Sequence, residues 1–562
     1  MLRRSLGSSN QIIVRVRRLY LLDTPQLICR TALHGHAAWL AGRTQSHGVR
    51  RSRRAAHSKR VRAAGTEGGA QKTASAMVNG VTRQRKSWVL AKRGGRAGVP
   101  RVPAAGAMML RRCKRSAAAI AAAAAGGAMT GCIQSQAPDD AVDGYQLVHA
   151  DVFFRHGARA PVHLNFPGLN GVAWDDCNAR ASRHMMHRGA RVTSLSGGPP
   201  PASKVDEMQQ SFTLPGGCRQ GELTTTGVHQ AHALGGALRA RYGSLLAARS
   251  DGAGGGASAI EVRSTNVSRC IATARAVLGG LLPDDASAIA IRTVPNASED
   301  LTPAPRRCGR LAELWDEARR EWTRHANATH PLSASTTARL RALMGDEAAR
   351  EYGFENGRWV PLKDVLTSVG ALPSAKGHVP FAIPSDLVAD VDALGAAQAA
   401  HLMGEGRSLQ YKHEISRISL GAALQRLLSR LEGAAAADPS VPRLSLTSGH
   451  DTTILPLLTS LNLWDGFWPP FTAAVSFELW MPRASAAAGG RSSSETRPPI
   501  VRVLYSPGDG VTVGGGFREL VRWHLPHFAA MTAPLAPADI TAECTAHGEP
   551  GAVRKMMTGT QF

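Results

Sequence analysis

The sequence predicts an α/β layer structure with a largely parallel sheet, and three observations predict it. From about residue 143, short β-prone runs are each followed by helix-like runs, the alternation that sets parallel strands between helices. Residues 309–432 read as mostly helical with no clear strand, a cap inserted between sheet elements. Two alternating runs, VSFELW and IVRVLY, flank the loop-forming RASAAAGGRSSSETRPP (483–499) and read as an antiparallel hairpin at the sheet edge.

The elements follow in chain order. YQLVHADVFF (145–154) is a β-prone run that ends on a basic cluster. LTTTGVHQAHALGGALRARYGSLL (223–246) is a helix with Val228, Leu234, Leu238 and Leu245 on its apolar face. The Gly-rich SDGAGGGAS (250–258) is a surface loop, AIEVRST (259–265) a short strand, and SRCIATARAVLGGLL (268–282) the helix after it, carrying Ile271, Ala274, Leu278 and Leu281. RLSLTSG (443–449) is a further strand, and TTILPLLTSL (452–461) a helix in which Pro456 must lie in the first turn or make a kink. This divides the chain into a leader (1–135), a first part of the α/β core (143–308), the helical cap (309–432) and a second part of the core (433–550).

The leader carries most of the protein's charge. Of 67 Lys/Arg and 42 Asp/Glu, 26 basic and 2 acidic residues (Asp23, Glu67) fall in residues 1–135, which leaves +1 of the +25 for the rest. The body therefore has no nucleic-acid-binding balance. The leader is Arg-, Ala-, Gly- and Ser-rich and too poor in apolar period to fold alone. It reads either as a removed presequence, an acid-poor, Arg-rich mitochondrial transit peptide or a secretory signal peptide starting at Met108 or Met109 in MMLRRCKRSAAAIAAAAAGGAMTGC, or, in its upstream part, as an over-extended start. The apolar stretch at 117–128 is too short for a transmembrane span. Cys29, Cys113 and Cys132 lie in the leader; Cys177, Cys218, Cys270, Cys308 and Cys544 show no CxxC spacing, which leaves either two disulfides and a thiol or none. Sequons at Asn266, Asn296 and Asn327 permit glycosylation of a secreted chain. His184 and His187 stand at helical spacing without a third ligand, so no metal site is expected.

Ligands of open α/β sheets bind beyond the carboxyl ends of the strands. Three such ends carry reactive side chains: Arg155-His156-Gly157-Ala158-Arg159, Arg263-Ser264-Thr265 and Gly449-His450-Asp451. If these strands are neighbours, three arginines and two histidines share one crevice and repel one another unless an anion sits among them. Guanidinium forks match phosphoryl oxygens, and only a phosphoryl group explains a histidine in the middle, where it is poised as a nucleophile. The surrounding cations lower the pKa of His156 and keep its lone pair free, while Asp451 must be protonated to serve a leaving oxygen. Activity is therefore expected below neutral pH.

RHGARAP followed far downstream by HD resembles the motif pair of the histidine acid phosphatases, with Arg155, His156, Gly157, Arg159 and Pro161 in the first and His450-Asp451 in the second. The resemblance runs from about 145 to 545, and RSTN, ILPLLTSLNLWDGFWPPF and PLAPADITAEC are most similar to the lysophosphatidic acid and xylose-2-phosphate phosphatase types. It implies a three-layer α/β sandwich with a helical cap, a small phosphate monoester as substrate and no metal or other cofactor. It also implies His156 as nucleophile, Asp451 as proton donor, and Arg155, Arg159, Arg263 and His450 as phosphate ligands. The cap shows no obvious run of basic residues, which argues against a highly charged substrate such as phytate. A phytase and a catalytically silent phosphate-binding protein are the alternatives, and retention of both His156 and Asp451 speaks against the second.

Overall fold

The computed structural model describes residues 142–163, 171–177, 182–247, 255–373, 382–483, 497–508 and 516–545. The leader, with its three cysteines and both presequence readings, lies outside them. So do most of the two expected surface loops.

One sheet of eight strands organises the described residues: β1 (Tyr145–Arg155), β2 (Ala190–Ser194), β3 (Ile260–Ser264), β4 (Ile289–Thr293), β5 (Leu444–Gly449), β6 (Ala474–Pro482), β7 (Ile500–Ser506) and β8 (Arg518–His524). Their order is β2-β4-β3-β5-β1-β6-β7-β8. The first five run parallel to their neighbours, and β6 to β8 are antiparallel. β1 sits between the two regimes, and β5 lies between β1 and β3, so the three reactive strand ends are adjacent. Arg155 is level with Gly449, and Ser264 with Ser448.

Helices cover both faces, because the period-2 alternation of β1 sends its apolar residues both ways. Ala150, Val152 and Phe154 pack with α2 (Thr225–Leu246) and α3 (Ser268–Leu281), following α1 (Lys204–Gln210) in the chain. Phe153 faces the opposite layer, where Leu420, Leu424, Leu427 and Leu431 meet Ile454, Leu457 and Leu458. Each such leucine contributes roughly 1.5–3 kcal/mol on burial.

Between β4 and β5 come α4 (Gly309–Glu321), α5 (Ser333–Tyr352), α6 (Val360–Gly370), α7 (Ser385–Leu402) and α8 (Leu409–Ala435), and no strand among the described residues. The middle helices share their own core of Leu340, Leu362, Leu366, Val369, Leu387 and Val391. Disulfides Cys177–Cys218 and Cys308–Cys544 join distant parts of the chain, the second tying the residue before α4 to the C-terminal region. Cys270 is a buried free thiol.

Three strands carried no signal strong enough to predict. β2 and β4 are five residues each, and β8, read in sequence as RELVRWH, is an exposed edge whose charges protect it from pairing with other chains. The expected hairpin is thus a three-stranded meander. The helix at the HD motif, α9 (Asp451–Ser460), holds Pro456 in its second turn, with His450 as the N-cap and Asp451 as its first residue. Two of the three sequons are spoken for: the Asn266 side chain donates to the carbonyls of Pro201 and Ala202, and the side-chain Oδ1 of the buried Asn327 accepts from Trp359 Nε1 and Ser333 Oγ.

Candidate active site

The floor of the site is made where β1, β3 and β5 end. The His156 amide donates to the Gly449 carbonyl (3.0 Å) and the Thr265 amide to the Ser448 carbonyl (3.1 Å), which ties the three loop starts together. Gly157 must be glycine: a Cβ there would stand 2.2 Å from the Gly227 carbonyl oxygen, where the first turn of α2 presses on the loop. That contact seats the loop after β1 directly on the start of α2.

His156 is buried, and its Nδ1 lies 2.9 Å from the Gly157 carbonyl. A carbonyl only accepts, so Nδ1 carries the proton and Nε2 keeps the lone pair. Burial holds its pKa well below the usual histidine value, reinforced by Arg269, Arg155, Arg159 and His450 in that order. His450 stands edge-on to His156, with ring centroids 5.4 Å apart. Its Nε2 is 3.0 Å from Thr265 Oγ1, and burial, with Arg269 next, pushes its pKa down to about 3. Phe471 lies against both Arg155 (4.3 Å from guanidinium carbon to ring centroid) and His156. Its successor Thr472 holds a left-handed φ of 59°, a strained conformation that donates its amide to the His156 carbonyl.

Arg155 donates from Nη1 to the Pro469 carbonyl (2.7 Å) and from Nη2 to Asp451 Oδ2 (2.8 Å). Asp451 Oδ2 also accepts from Trp468 Nε1 (3.2 Å), and its Oδ1 from the Thr452 amide (2.8 Å). Burial alone would raise the pKa of this carboxyl. Arg155, Lys363, Arg159 and His450 overcome that and hold it far below the ordinary carboxylate range. Arg159 is gripped by Asp364 of α6 through both terminal nitrogens (2.5 and 3.5 Å).

One expected ligand is misplaced. Arg263 precedes the last residue of β3 and projects from the sheet face opposite Val262, where Glu299 (3.0 Å) and Asp300 (3.2 Å) neutralise it. Arg269, in the first turn of α3, is the arginine that lines the cavity with His156, Arg159, His450 and Asp451. Its Nη1 donates to the buried Gln209 of α1 (3.0 Å). A residue at a strand end leaves by one face of the sheet; a residue in the first turn of the following helix faces the space above it. That rule, applied to SRC at 268–270, is the signal that would have found Arg269. Arg155, Arg159 and Arg269 each keep a buried Nε–H without a partner among the described residues.

The cavity above this floor holds about 900 Å³. Its walls include the apolar Val205, Met208, Val267, Pro303, Trp315 and Trp468, and its mouth carries Lys204, Arg306, Arg307, Arg319 and Arg320 with Glu313 and Asp316 among them, Asp316 accepting from Arg319 (3.0 Å). The cap still shows no run of basic residues in sequence, but Arg319 and Arg320 in the last turns of α4 gather with Arg306 and Arg307, which precede the cap, around one cavity. Lys363, buried on α6, places Nζ 4.0 Å from the centre of the Trp468 ring and 3.5 Å from Asp392 Oδ1, and burial pushes its pKa down to about 8. No three metal-ligating side chains come together among the described residues, and no described helix is long and apolar enough to cross a membrane.

Residues 146–506 match the histidine phosphatase superfamily (branch 2). The chain belongs to that superfamily. Among its relatives, lysophosphatidic acid phosphatase type 6 of Bos taurus is 29% identical over 348 residues, spanning 60% of this chain and 75% of that protein. Human prostatic acid phosphatase is 24% identical over 337 residues, 58% of this chain and 79% of that one. A solved Hafnia alvei phytase in complex with tartrate aligns at 15% identity with a TM-score of 0.47, covering 72% of this chain and 100% of that one. The sequence reading as an acid-phosphatase-type hydrolase agrees with the superfamily and with the relatives' names.

Proposed function

We propose that this protein hydrolyses a phosphate monoester through a phosphohistidine at His156, with Arg155, Arg159, Arg269 and His450 as the phosphate's hosts and Asp451 as proton donor. The observation that carries the proposal is His156 itself: a neutral ring with Nδ1 tied to a carbonyl and Nε2 free, set among three guanidinium groups. In the first half-reaction an Nε2–P bond forms as the P–O bond to the alcohol breaks, and the Asp451 proton passes to the departing oxygen. In the second, water attacks phosphorus, the N–P bond breaks, and the water's proton returns to Asp451. The arginines stabilise the charge on the transferring group throughout.

Asp451 is ionised in the free protein because Arg155, Lys363, Arg159 and His450 together outweigh its burial. A phosphate dianion takes up that positive charge, so the carboxyl gains a proton as substrate binds. The acid optimum expected from sequence then reflects protonation in the complex rather than in the free protein.

The apolar walls support a lipid-bearing alcohol of the kind named in the Bos taurus relative. The basic mouth supports anionic substrates, which brings a phytase-type activity back into consideration as the second reading. Two disulfides favour an oxidising compartment, and so the secretory reading of the leader over the mitochondrial one. The division into a core, 143–308 and 433–550, and a cap, 309–432, is retained as part of this proposal.

Asp451→Asn tests the mechanism with two substrates. The amide cannot give a proton, so turnover of an alkyl phosphate should fall about 100- to 10,000-fold while nitrophenyl phosphate, whose leaving group needs no proton, still phosphorylates the enzyme. Equal losses on both would reject Asp451 as the donor.

A further inference from the structure

Glu299 shares the catalytic cavity and is nine-tenths buried, yet its two oxygens are treated unequally. Oε1 accepts from Arg263 Nη2 (3.0 Å) and from the backbone amides of Asp300 and Leu301 (3.1 Å each). Oε2 is buried with no partner among the described residues. Leaving a carboxylate oxygen buried and unpaired is costly, and a site built around such an atom selects ligands that supply the missing donor. Arg263, no phosphate ligand, has the role of fixing this carboxylate in the cavity wall.

We infer that Glu299 is a leaving-group subsite that accepts a hydrogen bond from a second hydroxyl of the substrate alcohol. This rests on the phosphatase reading above and narrows its substrate to the phosphates of polyols, such as glycerol- or sugar-based alcohols. A hydroxyl is favoured over an ammonium group because Arg263 already balances the charge of Glu299, and because Lys204, Arg306, Arg307, Arg319 and Arg320 outnumber the acids Glu313 and Asp316 at the mouth. Burial raises the pKa of Glu299 against the pull of Arg263, as expected for a carboxylate short of donors.

The test compares kcat/KM for three phosphates of one skeleton: glycerol phosphate, its dimethyl ether, which can accept but not donate, and propyl phosphate, which can do neither. Nitrophenyl phosphate serves as reference. A hydrogen bond to a charged acceptor corresponds to a preference of about 10- to 100-fold for glycerol phosphate over both analogues in the wild type. Glu299→Gln keeps a carbonyl oxygen for Arg263 and the two amides but turns the other atom into a donor. In that variant the ether should gain on glycerol phosphate until the two differ by about threefold or less, with nitrophenyl phosphate nearly unchanged. No preference in the wild type, a preference that survives in Glu299→Gln, or an equal loss on all four substrates would overturn the inference. The wild-type series decides alone if the variant does not fold. Should wild type leave nitrophenyl phosphate untouched, it is the phosphatase reading that fails, not this refinement of it.

Discussion

The floor and the roof of the cavity are built by different physics. The floor is local: three adjacent strands stop at one level, and the residues that follow them in sequence, Arg155 to Arg159, Thr265 to Arg269 and His450 to Asp451, are set by turns and helix starts within a few residues. The roof is long-range. Asp364 reaches Arg159 across 205 residues of chain, and Lys363 backs the indole that holds Asp451. On the proposed function, the floor supplies chemistry common to any phosphate monoester, whereas the roof supplies counter-charge and choice of alcohol. Floor variants should therefore lose turnover and keep stability, and roof variants the reverse.

The largest effect should come from His156→Ala, which removes the proposed nucleophile: turnover falls roughly 10,000-fold or more on every substrate. Its thermal unfolding midpoint should stay close to that of wild type, because the neutral ring sits among guanidinium groups in the crevice rather than in the apolar core. A matching fall in stability would erase the distinction between floor and roof.

Next come the two arginines of one sequence segment. Arg269→Met should cost about 100- to 1,000-fold in kcat/KM for nitrophenyl phosphate, the scale for losing a donor aimed at transition-state charge. Arg263→Met should cost about tenfold or less on the same substrate, since its partners are Glu299 and Asp300. Steady-state kinetics of the pair checks this. A larger loss at Arg263 would restore the strand-end assignment made from sequence.

Asp364→Asn probes the roof. It leaves the buried Arg159 uncompensated, and breaking a buried pair by removing one partner costs about 3–5 kcal/mol. A lower unfolding midpoint is expected by scanning calorimetry, and inorganic phosphate should restore more stability to this variant than to wild type, because the anion replaces the lost charge. Equal gains in the two proteins would mean that Arg159 does not meet the phosphate.

The smallest effect concerns pH. His450 stays neutral in the fold down to about 3. Unfolded, it takes up a proton near its ordinary value of about 6.5. The unfolded state then binds more protons than the native one across that window, so His450 contributes stability above about pH 6.5 that is lost as pH falls toward 3. His450→Gln should flatten the decline of the unfolding midpoint between pH 7 and 4; an unchanged slope would locate the sensitivity elsewhere.

These contrasts also explain what could be read from the chain alone. β1, β3 and β5, the helices after them and five of the six proposed site residues were legible, because strand-end chemistry keeps its residues contiguous. Arg263 was taken for Arg269 because both lie within one segment, and only the face of a strand or the first turn of a helix separates them. Asp364 and Lys363 were invisible for a different reason: nothing local marks a helix residue in the 309–432 stretch as the counter-ion of an arginine far upstream, or as the cation behind a tryptophan in the loop after α9. The arginine pairs 306–307 and 319–320 were in plain view, but only the packing of α4 brings them to one mouth. β8 escaped because an edge strand is protected by charges that weaken its alternation.

The central claim is that His156 is the nucleophile, and rapid acid- and base-quench of the enzyme turning over nitrophenyl phosphate tests it most directly. The account predicts phosphate on the peptide that contains His156, lost in acid, retained in base and absent from His156→Ala. Rapid turnover with no covalent phosphate at the quench, or phosphate on another residue, would contradict it.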